Sequence, residues 1–381
     1  MKIAVVSTVH DIRDPRLSLK TAGSLARSGY PVDLIAGVSS GNDTETARAF
    51  MNHLPKGVNP VLLDANTGKL HRINRQLEVL QRLDLQQTHL LYIHDPELIP
   101  LAEWVRFRHN IPYLFDLHED VFDPSGLRWE FLQRLVSHAF RSADGIVTAF
   151  RLDPRPYHPQ PKVPFAEILN YYSDVLISDS YIHKINIPPK KAGYRLCYTG
   201  TIAPDRNITG LIRLVDHFIS AGMDIELMVA GKIFMPHYLS EIHSTLLSCR
   251  NKEYIHLLGG DTYIDWPTLQ LIHKQSDAGV IFFHPDTLNW NYPSKLYEYL
   301  GNGLPVMCSD IPIIRELLNE LQAGFFVPHD DPDQAFKEIN KHLPVMVESD
   351  MEPAQKWISE HANWHKQEGK LLELVEHAIG E

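Results

Sequence analysis

Cysteine is scarce in this sequence. Cys197, Cys249 and Cys308 are the only three among 381 residues, and no two form a C-x-x-C pair. An odd, scattered set excludes a disulfide-rich scaffold and suits a reduced, cytoplasmic setting. Long apolar runs are missing too. No segment approaches the roughly 18 consecutive apolar residues of a membrane span, and the run Ile3–Val6 meets Ser7 too early for a secretory signal. Surplus positive charge is also absent: 47 acids against 36 bases give a net charge of −11. A global electrostatic grip on nucleic acid or anionic lipid is thereby disfavoured, and no nucleic-acid partner is expected.

Several catalytic signatures are lacking as well. The loop Ser7–Asp11 holds no glycine, whereas a dinucleotide fingerprint needs the backbone to approach a pyrophosphate closely. There is no G-x-x-x-x-G-K-[ST], no G-x-S-x-G and no H-E-x-x-H. His361 and His365, four apart in a terminal helical stretch, read as a chance pair among 21 histidines, so no metal is expected. No internal repeat or low-complexity tract is visible.

What is present is an alternating pattern. A hydrophobic fraction of 44% and a charged fraction of 22% describe an ordinary globular chain, and the length suits two or three domains. Ile3–Val6 is followed by a polar loop, an amphipathic stretch from Pro15 to about Ser28, Gly29, and a second strand-like run Pro31–Ala36. Proline near a helix start and glycine just past its end mark the boundaries, giving a βαβ unit. Further apolar runs at Leu90–Ile93, Pro112–Asp116 and Gly145–Ala149 alternate with helical stretches near Pro96–Arg108 and Arg128–Arg141. The proline-rich stretch Arg151–Lys191 breaks the pattern and reads as a linker. A second set follows, with strands at Arg195–Gly200, Ile225–Ala230, Ile255–Leu258, Gly279–Phe283 and Pro305–Ser309, and a helix near Ile208–Ala221. Strands bounded by helices predict parallel sheets covered on both faces, hence two α/β domains with a ligand cleft at the carboxyl ends of the strands.

The most informative window runs from Asn291 to Asp310. Pro293 opens a predicted helix, Lys295 lies in its first turn, and Glu298 is three residues on, nearly on the same face. A helix N-terminus with a lysine is a ready anion site, and a carboxylate one turn deeper can accept from a pair of ribose hydroxyls. A surface ion pair at i,i+3 explains the same spacing equally well.

This window, with its P-x-K-x-x-E-Y, G-x-P-V and S-D elements, resembles the donor signature of retaining GT-B glycosyltransferases, especially glycosyltransferase family 4. Other windows agree in order: Asp14-Pro-Arg16, His94-Asp95-Pro-Glu-Leu98, Phe115-Asp-Leu-His118-Glu119-Asp120, and Tyr198-Thr-Gly200-Thr201 with Arg206 beyond. The resemblance implies an α/β GT-B architecture, two Rossmann-like domains facing each other across a cleft. An acceptor-side domain would occupy residues 1–170 and a donor domain residues 190–354, with a helix over 355–381 packing back on the first.

The implied reaction moves a sugar from a nucleoside-diphosphate sugar to an acceptor hydroxyl with retention, without metal or cofactor, in glycan or glycoconjugate biosynthesis. Glycan, lipid-linked and small-molecule acceptors all stay open. So does peripheral contact with the inner face of a membrane, for which the stretch Arg128–Arg141 is one candidate interfacial helix. Under the resemblance Glu298 holds the ribose, and Lys295 and Arg206 bind the diphosphate and stabilise its growing charge. Gly200, Thr201 and Lys232 complete the donor set. His118 lies nearest the reacting carbon, while Arg16, Asp95 and Glu119 line the acceptor side. Structural readings stand beside these roles: Arg16 and Asp95 as loop braces, Gly200 as a strand-end turn, His118 as a loop anchor. One departure is Trp290, where many members carry a glutamate eight residues before the one matched by Glu298. Rival readings are a nucleotide-sugar 2-epimerase of the same architecture and a non-catalytic nucleotide-sugar-binding protein.

Overall fold

The computed structural model describes residues 1–38, 43–64, 71–118, 121–122, 127–152, 159–174, 185–283 and 292–380. Two compact units emerge, Met1–Asn170 with Trp364–Glu381, and Tyr171–Asn363.

The first unit is built on a seven-stranded sheet in the order β3-β2-β1-β4-β5-β6-β7, with every pair parallel. Its strands are β1 (Lys2–Asp11), β2 (Val32–Gly37), β3 (Val58–Leu62), β4 (Thr88–Ile93), β5 (Tyr113–Leu117), β6 (Gly145–Thr148) and β7 (Phe165–Glu167). Helices α1 (Gly23–Arg27), α2 (Thr44–Met51), α3 (His71–Arg82), α4 (Ile99–His109) and α5 (Leu127–Ser142) connect them. Side chains alternate across a strand, so Ala4 and Val6 of β1 enter one apolar cluster and Ile3 and Val5 enter the other. That is why β1 reads as an unbroken apolar run rather than an alternating one.

Two details differ from the sequence reading. β1 continues through the polar residues expected to form a loop. The stretch from Pro15 is not amphipathic at first: Arg16–Ala22 is a π-helical run with every residue buried. The Trp364 ring lies 5.8 Å from the Lys20 amine of this run, and just beyond it the Trp364 indole donates to Ser24 Oγ at 2.8 Å while Glu368 accepts from the same Ser24.

The second unit carries a six-stranded parallel sheet in the order β10-β9-β8-β11-β12-β13. Its strands are β8 (Tyr194–Thr199), β9 (Ile225–Lys232), β10 (Ile255–Gly260), β11 (Ala278–Ile281), β12 (Val306–Ser309) and β13 (Gly324–Val327). Helices α6 (Ile208–Ser220), α7 (Pro236–Ser248), α8 (Trp266–Lys274), α9 (Ser294–Gly301), α10 (Pro312–Leu321), α11 (Pro332–Val347) and α12 (Glu352–His361) complete it. In both units the first strand sits centrally and the order reverses beside it, between β1 and β4 and between β8 and β11. This is the switch point at which such sheets bind ligands.

The proline-rich linker and the terminal helix are redistributed. Phe165–Glu167 is a sheet strand of the first unit, and the second unit already begins at Tyr171. The single helix expected over 355–381 is two helices, α12 and α13 (His365–Ile379). Asn363 leaves helical geometry to form a bridge with Tyr172, and that break sends α12 to the second unit and α13 to the first. It also parts His361 from His365, which lie on different helices in different units.

Candidate active site

In the second unit the carboxyl ends of β8 and β9 approach closely. Gly200, with φ +108°, follows β8, and Gly231 faces it within β9. A Cβ at Gly231 would lie 1.8 Å from the Gly200 carbonyl oxygen, so only glycine fits. Thr201 is exposed beside this turn, and its carbonyl accepts from the Tyr198 hydroxyl at 2.7 Å. Lys232 closes β9, with its amine 5.7 Å from the exposed Phe234 ring.

Helix α9 points its first turn at the same turn. Pro293 holds extended backbone as its N-cap, and Lys295 follows, 9% exposed. The Lys295 amine lies 3.6 Å over the Tyr198 ring and 5.6 Å from Phe283, and has no hydrogen-bond partner among the described residues. Burial pushes its pKa well below the ordinary lysine value, and the nearby Arg206 charge pushes it further. Arg206 ends a short turn, Pro204–Arg206, held by the left-handed Asn207. Its guanidinium stacks 4.4 Å from the Phe283 ring and pairs with Asp205. Lys295 and Arg206 thus share one aromatic floor beside Gly200. A turn further along α9, Glu298 accepts from Gln270 Nε2 at 2.7 Å. An i,i+3 surface ion pair between Lys295 and Glu298 is not formed, because the lysine is turned into the unit.

The first unit gathers its polar residues at its own switch point. Asp95, buried after β4, accepts from Ser7 Oγ at 3.1 Å, Thr8 Oγ1 at 3.1 Å and the Val9 amide at 3.2 Å. These bonds explain why β1 stays ordered through polar residues, and they make Asp95 a brace between loops. Arg16 is likewise buried. It donates to both oxygens of Asp116, at 2.9 and 3.2 Å, to the Ile168 carbonyl at 2.7 Å and to Asn170 at 2.9 Å. With its donors directed inward, Arg16 acts as a brace.

His118 follows β5, its side chain 10% exposed. Its Nε2 is 2.6 Å from His94 Nδ1, and its ring lies 4.6 Å from that of His10. Burial lowers the pKa of both His94 and His118, against the opposing pull of Asp116. Burial works against ionisation of Asp116, but the Arg16 charge and the hydrogen bond from His118 outweigh it and hold the carboxyl well below its ordinary range. His94, Asp116 and His118 also form a set of ligand atoms within 4.8 Å of one another. Asp116 already accepts from Arg16 and from Tyr92 at 3.0 Å, so its carboxylate is engaged within the unit. Glu119 and Trp290 lie outside the described residues.

The sequence alone does not single out Asp116 or His94, nor Gln270 and His273, which lie on α8 beside Glu298 and Thr199. The D-x-H spacing of Asp116 and His118 was a usable signal, since residues two apart share one face of a strand. Gln270 and His273 carried no such signal.

Two family descriptions match the chain: glycosyl transferase 4-like domain over residues 17–153 and glycosyl transferases group 1 over residues 181–362. No curated protein sequence matches it significantly. Among solved structures it is similar to sucrose-phosphate synthase from Thermosynechococcus elongatus, with 13% identity, a TM-score of 0.67 and coverage of 100% of this chain and 99% of that one. It is similar to Anabaena HepE in complex with UDP and glucose, with 15% identity, a TM-score of 0.64 and coverage of 98% and 99%. A Listeria monocytogenes protein assigned to the UDP-N-acetylglucosamine 2-epimerases is similar at 11% identity and a TM-score of 0.58, over 98% and 95% of the two chains. With two parallel α/β sheets of this order and family matches in both units, the chain belongs to the glycosyl transferase 4-like, group 1 family of GT-B glycosyltransferases.

Proposed function

We propose that this glycosyltransferase is retaining and metal-independent, and that it moves a sugar from a nucleoside-diphosphate sugar to an acceptor hydroxyl in glycan or glycoconjugate biosynthesis. The observation that carries the reading is Lys295, a buried amine without a hydrogen-bond partner, beside Arg206 and the Gly200 turn and one helical turn before Glu298. A diphosphate would favour the charged form of the Lys295 amine and give it the acceptor it lacks, while Glu298 takes the ribose hydroxyls. The UDP and glucose in the HepE structure support this ligand class.

In the reaction the bond from the anomeric carbon to the diphosphate oxygen breaks and one to the acceptor oxygen forms on the same face. The acceptor proton passes to the leaving diphosphate. Lys295 and Arg206 face the oxygen on which charge grows, so their contacts strengthen in the transition state and raise the rate as well as the affinity. Protein cations fill the role of a metal, and no cofactor is required. His118 serves the transferred sugar or the acceptor through Nδ1, since its Nε2 is engaged by His94. Arg16 and Asp95 contribute to this acceptor side by fixing the loops around His118.

Glu298→Ala should weaken nucleotide binding sharply, whereas His118→Ala should keep binding and lower turnover. Normal nucleotide binding by Glu298→Ala would refute the assignment. The Listeria relative favours one second reading, a nucleotide-sugar 2-epimerase, which would isomerise a nucleotide sugar with no acceptor present. A non-catalytic binding protein would do neither. No described helix is long and apolar enough to cross a membrane. Peripheral contact through the exposed Phe131 of α5 predicts co-sedimentation with vesicles, and its absence retires that reading.

A further inference from the structure

We infer that Gln270 is a positioning residue for Glu298, the last link of a polar chain tying the Thr199–Gly200 turn to α9. This rests on the reading that Glu298 accepts from the ribose hydroxyls. Asn302, just past the end of α9, donates through Nδ2 to the Glu298 backbone carbonyl at 2.7 Å and to Gln270 Oε1 at 2.8 Å. The Gln270 oxygen is therefore committed to Asn302, and its amide nitrogen is turned to Glu298 Oε2 at 2.7 Å. Flipping the amide would set oxygen against oxygen and nitrogen against nitrogen, so the network fixes one orientation.

The chain continues on the other side. Asn302 Nδ2 is 3.3 Å from His273 Nδ1, and His273 Nε2 is 2.9 Å from Thr199 Oγ1. Thr199 immediately precedes Gly200, and its amide donates to the hydroxyl of Tyr299, the neighbour of Glu298, at 3.0 Å. His273 is almost wholly buried and stays neutral, its pKa pushed down to about 3 by burial. Both Gln270 and His273 lie on α8, where core packing would favour apolar side chains. Their polar groups instead connect the two walls of the proposed donor site. A carboxylate held this way meets a ribose without having to be ordered first, which is the benefit of a fixed supporting residue.

The test is calorimetric titration of the full chain with UDP, GDP, ADP and CDP and their 2′-deoxy counterparts. Wild type should prefer the ribonucleotide, and Glu298→Ala should erase that preference. Gln270→Leu, close in size, should weaken ribonucleotide binding about tenfold, the scale of one hydrogen bond to a charged group. It should leave the deoxynucleotide and the melting temperature near wild type, which a merely structural role would not do. Gln270→Glu places two carboxylates together. Its preference should be lost at neutral pH and return as the pH falls and a shared proton replaces the amide hydrogen. That variant carries the test if Gln270→Leu does not fold. A wild-type preference in both Gln270 variants, with Glu298→Ala losing it, would overturn the role of Gln270 alone. A preference that survives Glu298→Ala, or no diphosphate bound by wild type, would overturn the ribose reading and this inference with it.

Discussion

Replacing Lys295 by methionine should make the ligand-free protein more stable and its nucleotide complex weaker. The Lys295 amine is buried over Tyr198 with no hydrogen-bond partner among the described residues. Exchanging buried charge for an apolar side chain of similar volume is commonly neutral to stabilising, by up to about 4 kcal/mol. The ring contact at 3.6 Å opposes the change, by about 1–2 kcal/mol. A net gain of about 1 kcal/mol follows, or about 2–4 °C in melting temperature for a unit of this size. Binding moves the other way, because removing one partner of a desolvated charge pair weakens it by about 2–5 kcal/mol, at least about thirtyfold in affinity.

The effect should also depend on pH with a definite sign. The folded pKa of Lys295 lies below its ordinary value of 10.5. Between the two values the unfolded chain therefore holds a proton that the folded chain lacks. Wild type then gains stability as the pH rises through that window, and the variant does not. The advantage of Lys295→Met should be largest near neutral pH and shrink toward 10.5. Thermal melting across that range, with and without nucleoside diphosphate, reads both effects. A variant that melts below wild type at every pH and binds nucleotide unchanged would refute the reasoning.

Between the depressed pKa of free Lys295 and its value in the complex, nucleotide binding should take up protons; calorimetry across pH in buffers of different ionisation enthalpy would show that window, and Lys295→Met should remove it. Arg16→Met strands the buried Asp116 and should destabilise the first unit by about 3–5 kcal/mol, visible in denaturant melts. Because burial depresses the pKa values of His94 and His118, stability should fall as the pH drops below their ordinary 6.5, where the unfolded chain binds protons that the folded one refuses. A His94→Gln variant should flatten that part of the profile, and an unchanged profile would count against the buried neutral pair.

The fold was largely legible because parallel strands covered on both faces leave continuous apolar runs, such as Ile3–Val6 and Ile225–Ala230. Elements at the sheet edge were harder to see. β3 carries Pro60, which an edge strand tolerates, and β7 is only three half-covered residues in a proline-rich stretch. The break between α12 and α13 has no proline or glycine to announce it, being set by the Tyr172–Asn363 bridge. At the site, the spacing of Lys295 and Glu298 on one helix was readable, as was a strand-end turn at Gly200. The inward turns of Arg16 and Asp95 were not, since their partners Asp116 and Ser7 are 100 and 88 residues away. Gln270 was hidden for the same reason, as its purpose appears only once α8 and α9 pack together.

The donor site is tested most directly by thermal melting of wild type, Lys295→Met and Glu298→Ala with UDP, GDP, ADP, CDP and dTDP. A ligand present at one hundred times its dissociation constant adds about 2.7 kcal/mol of stability. One nucleotide should raise the wild-type melting temperature by several degrees, and both variants should lose most of that shift. Equal shifts in all three proteins, or none in wild type, would contradict a diphosphate site built on Lys295 and Glu298.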